Sequence, residues 1–169
     1  MLRRQIAGLA ALLLLTACGP AKLDPKVIAA NAATGQAYLA SNAKTPGVIT
    51  LRSGLQYKII RSGPADGPSP LPGDEVKVNY EGKLLSGKVF DSSYARGVPA
   101  AMPLDGLIPG WVEALQLMRP GDEWVLYIPP EQAYGSTGTG GGEIPPESTL
   151  IFRIELLGIL PGPGHSAQG

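Results

Sequence analysis

The stretch Val76-Lys77-Val78-Asn79-Tyr80-Glu81 alternates apolar and polar side chains at every position. A period of two is typical of a β-strand that faces the core on one side and solvent on the other. Other stretches repeat this alternation, so the sequence predicts an antiparallel sheet with one buried face. The other predicted inward rows are Leu55, Tyr57 and Ile59; Trp124, Leu126 and Ile128; and Phe152 and Ile154.

One helix is predicted among these strands, from about Pro109 to Met118. Proline is favoured in the first turn of a helix, and Arg119-Pro120-Gly121 ends it. Turn signals at Gly63-Pro64 and Pro72-Gly73 separate the strands. Because the strands outnumber the helices and do not alternate with them, the predicted fold class is α+β, a twisted antiparallel β-sheet wrapped around one short α-helix.

A second helix is predicted ahead of the sheet. Asp24 can cap it, Pro25 suits its first turn, and an alanine-rich run continues it to Ser41. Its apolar face is thin, and Gly35 lowers its stability by about 1 kcal/mol relative to alanine. We therefore expect this helix to dock weakly or to act as a spacer, and Thr45-Pro46-Gly47 indicates the break that follows it.

The 169 residues are enough for one domain with its own core and a short appendage. Residues 1–17 are predicted to be a lipoprotein signal peptide, residues 18–50 a tether with the short helix, residues 51–160 the globular domain and residues 161–169 a flexible tail. Formal charge is balanced, which argues against a nucleic-acid partner. The one histidine, His165, lies in the Gly/Pro-rich tail, and no metal site is expected.

The amino terminus carries a targeting signal. Arg3 and Arg4 precede an apolar stretch from Ile6 to Leu15, which has the length of a signal-peptide core and is too short to cross a bilayer of about 30 Å. The following Leu15-Thr16-Ala17-Cys18 resembles the bacterial lipobox, in which the cysteine sulfur receives a diacylglycerol before cleavage. Lipidation of Cys18 is predicted, and the alternative is an ordinary secretory signal with a free thiol nearby.

Several short segments surround one carboxylate, Asp91, with aromatic and aliphatic side chains. Such a composition suits a small-molecule or peptide pocket with few polar contacts rather than an acid/base or metal centre. The glycine-rich run at residues 138–142 is not a phosphate loop, because it lacks a Gly-Lys-Ser/Thr ending and a following helix. The pocket segments are residues 78–80, 89–93, 108–111, 133–135 and 144–146.

From Leu55 to Leu160 the sequence resembles the FKBP-type peptidyl-prolyl cis-trans isomerase domain. The lead-in Ser53-Gly54-Leu55-Gln56-Tyr57 resembles bacterial members related to the macrophage infectivity potentiator. The match covers about two-thirds of the chain and keeps the order and nearly all the spacings of the segments. The resemblance implies catalytic roles for Asp91 and Tyr134, and substrate-binding roles for Tyr80, Phe90, Arg96, Leu107, Ile108, Trp111, Ile144 and Phe152.

Two departures from the family pattern concern the rim of this pocket. Ala100 stands where some members have a second phenylalanine, and the run at residues 138–142 is longer and richer in glycine than usual and has no histidine. Both bear on substrate preference and on affinity for macrolide inhibitors. We interpret the glycine run as a mobile flap between Tyr134 and Ile144 that closes over a bound peptide.

The implied reaction is rotation about an X-Pro amide, whose barrier is about 18–20 kcal/mol because resonance holds the bond planar. A dry aromatic pocket favours the twisted, less polar amide, so neither cofactor nor metal is expected. Trp111 is expected to be the floor under the proline ring, although it could be an ordinary core aromatic. Tyr134 can donate to the substrate carbonyl or merely cap a strand. Asp91 either orients the amide or, as we favour, holds Tyr80 and Arg96.

The expected activity is therefore a peptidyl-prolyl cis-trans isomerase for proline-containing segments of unfolded or exported envelope proteins. The alternative is a non-catalytic chaperone or recruitment module that binds such segments. Gly19 after the cysteine resembles lipoproteins sorted to the outer membrane of Gram-negative bacteria, so a lipid-anchored protein facing the periplasm is expected. A monomer is predicted, because related long-armed members dimerise through an extended helical domain and the tether here is short.

Overall fold

The structure, a computed structural model, describes residues 24–162. The predicted signal peptide, Cys18 and residues 163–169 of the predicted tail lie outside the described residues. The helices are α1 (Pro25–Asn42), α2 (Ser93–Arg96) and α3 (Pro109–Leu115), with single 3-10 turns at Leu104–Gly106 and Pro130–Gln132. The strands are β1 (Val48–Thr50), β2 (Gln56–Arg61), β3 (Glu75–Leu84), β4 (Val89–Ser92), β5 (Ala100–Pro103), β6 (Glu123–Ile128) and β7 (Leu150–Leu160).

Within residues 24–162, the seven strands form one antiparallel sheet in the order β1-β2-β6-β7-β3-β4, and β5 also pairs with β3. Strand β3 is long enough to have two partners on one edge: its first half pairs with β5 and its second half with β4. The sheet begins at β1, ahead of the predicted boundary at residue 51. The α+β prediction is confirmed.

The core lies between the inner face of the sheet and α3. Val76 and Val78 are fully buried and Tyr80 nearly so, as the alternation predicts. Gly110 lets α3 approach β6 closely, since a Cβ there would lie 2.6 Å from Cγ2 of Ile128. The helix packs against the inner face of the sheet, and its buried residues are Gly110, Trp111, Ala114 and Leu115.

The predicted end of α3 at Met118 is wrong, because the regular helix stops at Leu115. The backbone N–H of Leu117 bonds to the Ala114 carbonyl at 2.9 Å, an i to i−3 bond that tightens the last turn. Met118 still closes this turn and is fully buried in the core.

Helix α1 begins as predicted: the Asp24 side chain accepts a hydrogen bond from the Lys26 N–H at 2.9 Å, and Pro25 occupies the first position. It does more than act as a spacer, because it packs on the outer face of β2 and β6. The Gln56 side chain there accepts from Asn42 Nδ2 at 2.8 Å and donates to the carbonyl of Leu39 at 2.9 Å. Docking therefore relies on polar contacts, which the thin apolar face did not reveal.

Gly35 is the point of closest approach between α1 and the domain. It is the buried residue of the helix, and a Cβ at this position would overlap the hydroxyl oxygen of Thr149 just ahead of β7. Nearby, the rings of Tyr38 and Tyr127 lie 6.1 Å apart. The glycine thus lowers the helix propensity of α1, but it also lets the helix backbone pack closely against Thr149. Among the described residues, no helix combines the length and apolarity needed to cross a bilayer.

Gly35→Ala is expected to change the free energy of unfolding in opposite directions in two backgrounds. In the wild-type chain it should destabilise by about 1 kcal/mol, because overpacking costs about 1–3 kcal/mol and exceeds the gain in helix propensity of about 1 kcal/mol. In a Thr149→Ala chain the obstructing oxygen is gone, so the same change should stabilise by up to about 1 kcal/mol. Urea unfolding of the four chains measures both effects; stabilisation in both backgrounds would contradict the proposed close contact.

Candidate functional site

A cavity of about 270 Å³ lies between the sheet and the start of α3. Its walls come from distant parts of the sequence that the antiparallel topology brings together. Apart from one carboxylate and two tyrosine hydroxyls, the side chains around it are apolar. The lining residues are Tyr80, Phe90, Asp91, Met102, Gly106, Leu107, Ile108, Trp111, Tyr134 and Phe152.

The aromatic walls meet edge to face. Trp111 lies 5.1 Å from the ring of Tyr80 at 83° and 5.2 Å from the ring of Phe152 at 86°. Phe90 lies 5.5 Å from Phe152 at 83°. Perpendicular rings at these separations are favourable, by about 0.5–1.5 kcal/mol per pair beyond the burial of area. All four rings line the cavity, so the same contacts that pack them together also form its wall.

Local sequence explains how two phenylalanines fit side by side. Phe152 on β7 lies opposite Gly82 on β3, and Phe90 follows on β4. A Cβ at position 82 would lie 2.5 Å from Cε1 of Phe152 and 2.7 Å from Cζ of Phe90. The missing side chain at Gly82 therefore makes the room that both rings occupy.

Trp111 is held by the first turn of α3, where its backbone N–H bonds to the carbonyl of Ile108 at 2.9 Å. The indole is 4% exposed and belongs to the main hydrophobic cluster. Its Nε1 is buried and has no hydrogen-bond acceptor among the described residues. The side chain is thus both part of the core and a wall of the cavity, so the two interpretations of the sequence are compatible.

The polar edge of the cavity is a closed set of three hydrogen bonds. Tyr80 Oη donates to Asp91 Oδ2 at 2.5 Å, Arg96 Nη2 donates to Tyr80 Oη at 2.8 Å, and Arg96 Nη1 donates to Asp91 Oδ1. The guanidinium carbon of Arg96 also lies 5.5 Å from the centre of the Tyr80 ring. Arg96 does not line the cavity itself, and it orients the two groups that do.

These contacts set the protonation states of the edge. Burial alone would raise the pKa of Asp91, but the hydrogen bonds from Tyr80 and Arg96 outweigh it and lower the pKa below its usual value. Burial and the hydrogen bond to Asp91 raise the pKa of Tyr80. At neutral pH, Asp91 is therefore a carboxylate and Tyr80 keeps its proton. The Asp91 side chain is 41% exposed, so the carboxylate is only partly buried.

Helix α2 carries Arg96 to this position. Ser92 caps it by accepting from the Ala95 N–H at 3.2 Å, and Gly97 ends it in the left-handed region, so the chain reverses within one turn. Ser93 is fully buried, and its Oγ accepts from the Tyr80 N–H at 2.8 Å, between the parts of β3 that pair with β5 and with β4. Ser93 belongs to the predicted pocket segment 89–93, but the sequence did not reveal its role as a partner of the Tyr80 backbone.

Tyr134 lines the cavity, with 37% of its surface exposed. Burial, together with the negative charge of Asp91, raises the pKa of its hydroxyl. The segment that follows folds onto itself: the Thr139 N–H donates to the Ile144 carbonyl at 2.9 Å, and the Ile144 N–H donates to Thr139 Oγ1 at 3.1 Å. The exposed glycine tip therefore sits on a hydrogen-bonded base.

The structure brings eight of the ten predicted pocket residues to the cavity wall, and Arg96 reaches it through Asp91 and Tyr80. Ile144 is 4% exposed in the hydrophobic cluster and is not among the lining residues, so its contact with substrate stays a prediction. Met102 and Gly106 line the cavity and were missed, because neither stood in an aromatic or charged motif. Ala100 pairs with Val78 outside the lining set.

Comparisons with known proteins identify relatives of this chain. The chain is 54% identical over 131 residues to the FKBP-type 22 kDa peptidyl-prolyl cis-trans isomerase of Escherichia coli K12, covering 78% of this chain and 62% of that protein. It is 46% identical over 129 residues to the outer membrane protein MIP of Legionella longbeachae, covering 76% of this chain and 54% of that protein. The chain thus spans between about half and three fifths of these relatives.

The crystal structure of FkpA from Escherichia coli superposes with a TM-score of 0.77 at 47% identity, covering 82% of this chain and 63% of that one. Residues 21–59 match the family model of the domain amino terminal to FKBP-type peptidyl-prolyl isomerase. Residues 67–157, which contain every residue that lines the cavity, match the model of the isomerase domain itself. On this match and the shared fold, the chain belongs to the FKBP-type peptidyl-prolyl cis-trans isomerase family.

Proposed function

We propose that this chain is a peptidyl-prolyl cis-trans isomerase that binds proline in the aromatic cavity and accelerates rotation about the preceding amide. The observation that carries the proposal is a cavity with an indole and two phenylalanine rings on one side and two polar groups, Asp91 and Tyr134, at its edge. Family membership supports the same activity. Neither a nucleophile nor a metal is needed for a reaction that breaks no covalent bond.

The cavity can lower the barrier to rotation about the X-Pro amide by excluding water. Planarity of the amide depends on charge separation that water stabilises by hydrogen bonding to the carbonyl oxygen. Apolar walls at Trp111, Phe90 and Phe152 withdraw this support, which favours the twisted state in which the carbonyl is less polarised. Stabilisation of the twisted amide over the planar one is what raises the rate.

The polar edge orients the substrate. Tyr134 keeps its proton at neutral pH, since its pKa is raised, and can donate to a carbonyl of the bound peptide. We favour the role in which Asp91 holds Tyr80 and Arg96 in place. Both of its carboxylate oxygens already accept hydrogen bonds, one from each of these residues. Ile144 on the base of the flap is proposed to complete the binding surface when a peptide is present.

The rival function is a non-catalytic module that holds proline-rich segments as a chaperone would or recruits partners. Asp91, Trp111 and Tyr134 all line one cavity, as catalysis requires. A module that binds without isomerising needs the apolar walls and has no need for the polar edge. The arrangement therefore favours the enzyme.

We further propose that the protein works in the cell envelope, attached by a lipid on Cys18, in the outer membrane and facing the periplasm. The lipobox-like sequence supports attachment, and a relative from Legionella longbeachae is named an outer membrane protein. Its substrates would be proline-containing segments of unfolded or exported proteins. It would act as a monomer and accept macrolide inhibitors, with affinity set by Ala100 and the glycine run.

A coupled proline-isomer assay on short peptides tests the activity directly. The wild-type chain should accelerate isomerisation, and Tyr134→Phe should lower kcat/KM by about 5- to 30-fold, as expected for one lost hydrogen bond of about 1–2 kcal/mol. Trp111→Leu should lower it further, because it removes a wall of the cavity. If the wild-type chain binds proline peptides but leaves their isomerisation rate unchanged, the non-catalytic function is correct.

Asp91→Ala should lower kcat/KM by about 5- to 150-fold, or about 1–3 kcal/mol, because Tyr80 and Arg96 lose their shared acceptor. The free energy of unfolding should change by less than about 1 kcal/mol, since the ion pair is half exposed. Asp66→Ala is the matched control at an exposed aspartate outside the cavity. Unchanged activity in the Asp91→Ala chain would remove Asp91 from the site.

Cys18→Ala should release the protein from membranes. Each buried CH₂ of an acyl chain contributes about 0.8 kcal/mol, so a chain with several acyl groups stays attached and one with none does not. Membrane fractionation and intact-mass measurement of the two chains check this. Membrane partitioning of Cys18→Ala, together with a wild-type chain that carries no acyl mass, would contradict the lipid anchor.

A further inference from the structure

One peptide unit just beyond the flap, Pro146–Glu147, is held on both sides. The carbonyl of Pro146 accepts a hydrogen bond from Asn31 Nδ2 on α1 at 3.1 Å. The N–H of the same peptide unit, which belongs to Glu147, donates to the carbonyl of Gly135 at 2.9 Å. Gly135 directly follows Tyr134, so a side chain of the N-terminal helix is connected through one peptide to the backbone that carries the Tyr134 ring.

The backbone at this peptide needs support. Glu147 has a φ of 58° and is the one non-glycine residue with positive φ among residues 24–162. A side chain in the left-handed region costs about 1–2 kcal/mol, so the neighbouring contacts must hold it there. The hydrogen bonds to the two sides of the Pro146–Glu147 peptide are contacts of this kind, and each polarises the other.

Helix α1 is fixed where this contact requires it. Gly35 lies one turn after Asn31 and packs directly against Thr149, two residues after Glu147. Asn31 and Thr149 also line a shared cleft between α1 and the turn that follows β3. The Asn31 side chain therefore reaches the Pro146 carbonyl from a helix that is seated close by, and the link does not depend on a freely moving tether.

We propose that Asn31 is a positioning residue for the isomerase reaction: its amide fixes the Pro146–Glu147 peptide, which fixes Gly135 and thereby the place of the Tyr134 hydroxyl over the cavity. This inference rests on the proposed function. It assigns to the segment ahead of the isomerase domain a direct part in the catalytic geometry, in addition to that of a tether. Asn31 does not touch the cavity and acts through Tyr134 alone.

Kinetics of the full chain, solubilised in detergent, test the role of Asn31. Asn31→Ala should lower kcat/KM by about two- to tenfold, the effect of one lost hydrogen bond. Asn31→Gln keeps the donor and should recover part of this loss. The matched control is Asn42→Ala, which removes a hydrogen bond of the same kind from the other end of α1, to Gln56, and should leave kcat/KM unchanged. Equal effects of Asn31→Ala and Asn42→Ala would overturn the proposal.

A double-mutant cycle shows whether Asn31 acts through Tyr134. In a Tyr134→Phe chain the hydroxyl is gone, so adding Asn31→Ala should lower kcat/KM by less than about twofold. A purely structural role of Asn31 would give the same factor in both backgrounds, and that result would overturn the proposal.

Hydrogen exchange separates this inference from the proposed function, because it needs no activity. Asn31→Ala should speed exchange of the Glu147 amide by about two- to tenfold relative to wild type, and Asn42→Ala should not. Unchanged exchange at Glu147 would overturn the link between the helix and the flap even in an active enzyme. Faster exchange in a chain that lacks isomerase activity would instead leave the link standing and refute the proposed function.

Discussion

The perpendicular packing of Trp111 against Tyr80 and Phe152 is the constraint on which the site depends. Edge-to-face rings at about 5 Å are rigid, and they join α3 to β3 and β7 in one contact. All three rings also line the cavity. The contacts that stabilise the core thus also form the wall of the cavity, so the pocket needs no separate framework to hold it open.

The polar edge of the cavity orients side chains and adds little to the folding free energy. Asp91 and Arg96 are both nearly half exposed, and ion pairs of this kind are worth little in folding free energy. Their value lies in directing the Tyr80 hydroxyl, which cannot rotate freely while it both donates and accepts. The strands fix the backbone of Tyr80, α2 fixes Arg96, and Ser93 joins the two at the place where β3 changes partners. The strand pairing and α2 therefore determine where the groups of the polar edge lie.

Alternation of side chains predicted the antiparallel sheet, and the resemblance to the FKBP-type domain, carried over position by position, supplied the ten pocket residues, eight of which line the cavity. Other features depend on neighbours that no local pattern reveals. Met102 is an ordinary aliphatic side chain until β5 pairs with β3 and turns it toward the cavity. From the sequence, Gly35 only weakens a helix. The structure adds that Thr149 packs directly against it. Asn31 looks like a solvent-exposed polar residue, because its partner lies far away in sequence.

The docking of α1 also limits how far the domain can move from an anchoring surface. If its 18 residues were extended, they would reach about 60 Å. Because the helix is docked on the sheet, only the few residues between Cys18 and Pro25 can separate the domain from the anchor. At full stretch they span about 20 Å. With a lipid on Cys18, such a protein would act within a shallow layer at the membrane, on chains that emerge beside it. It would not reach across the full width of the compartment.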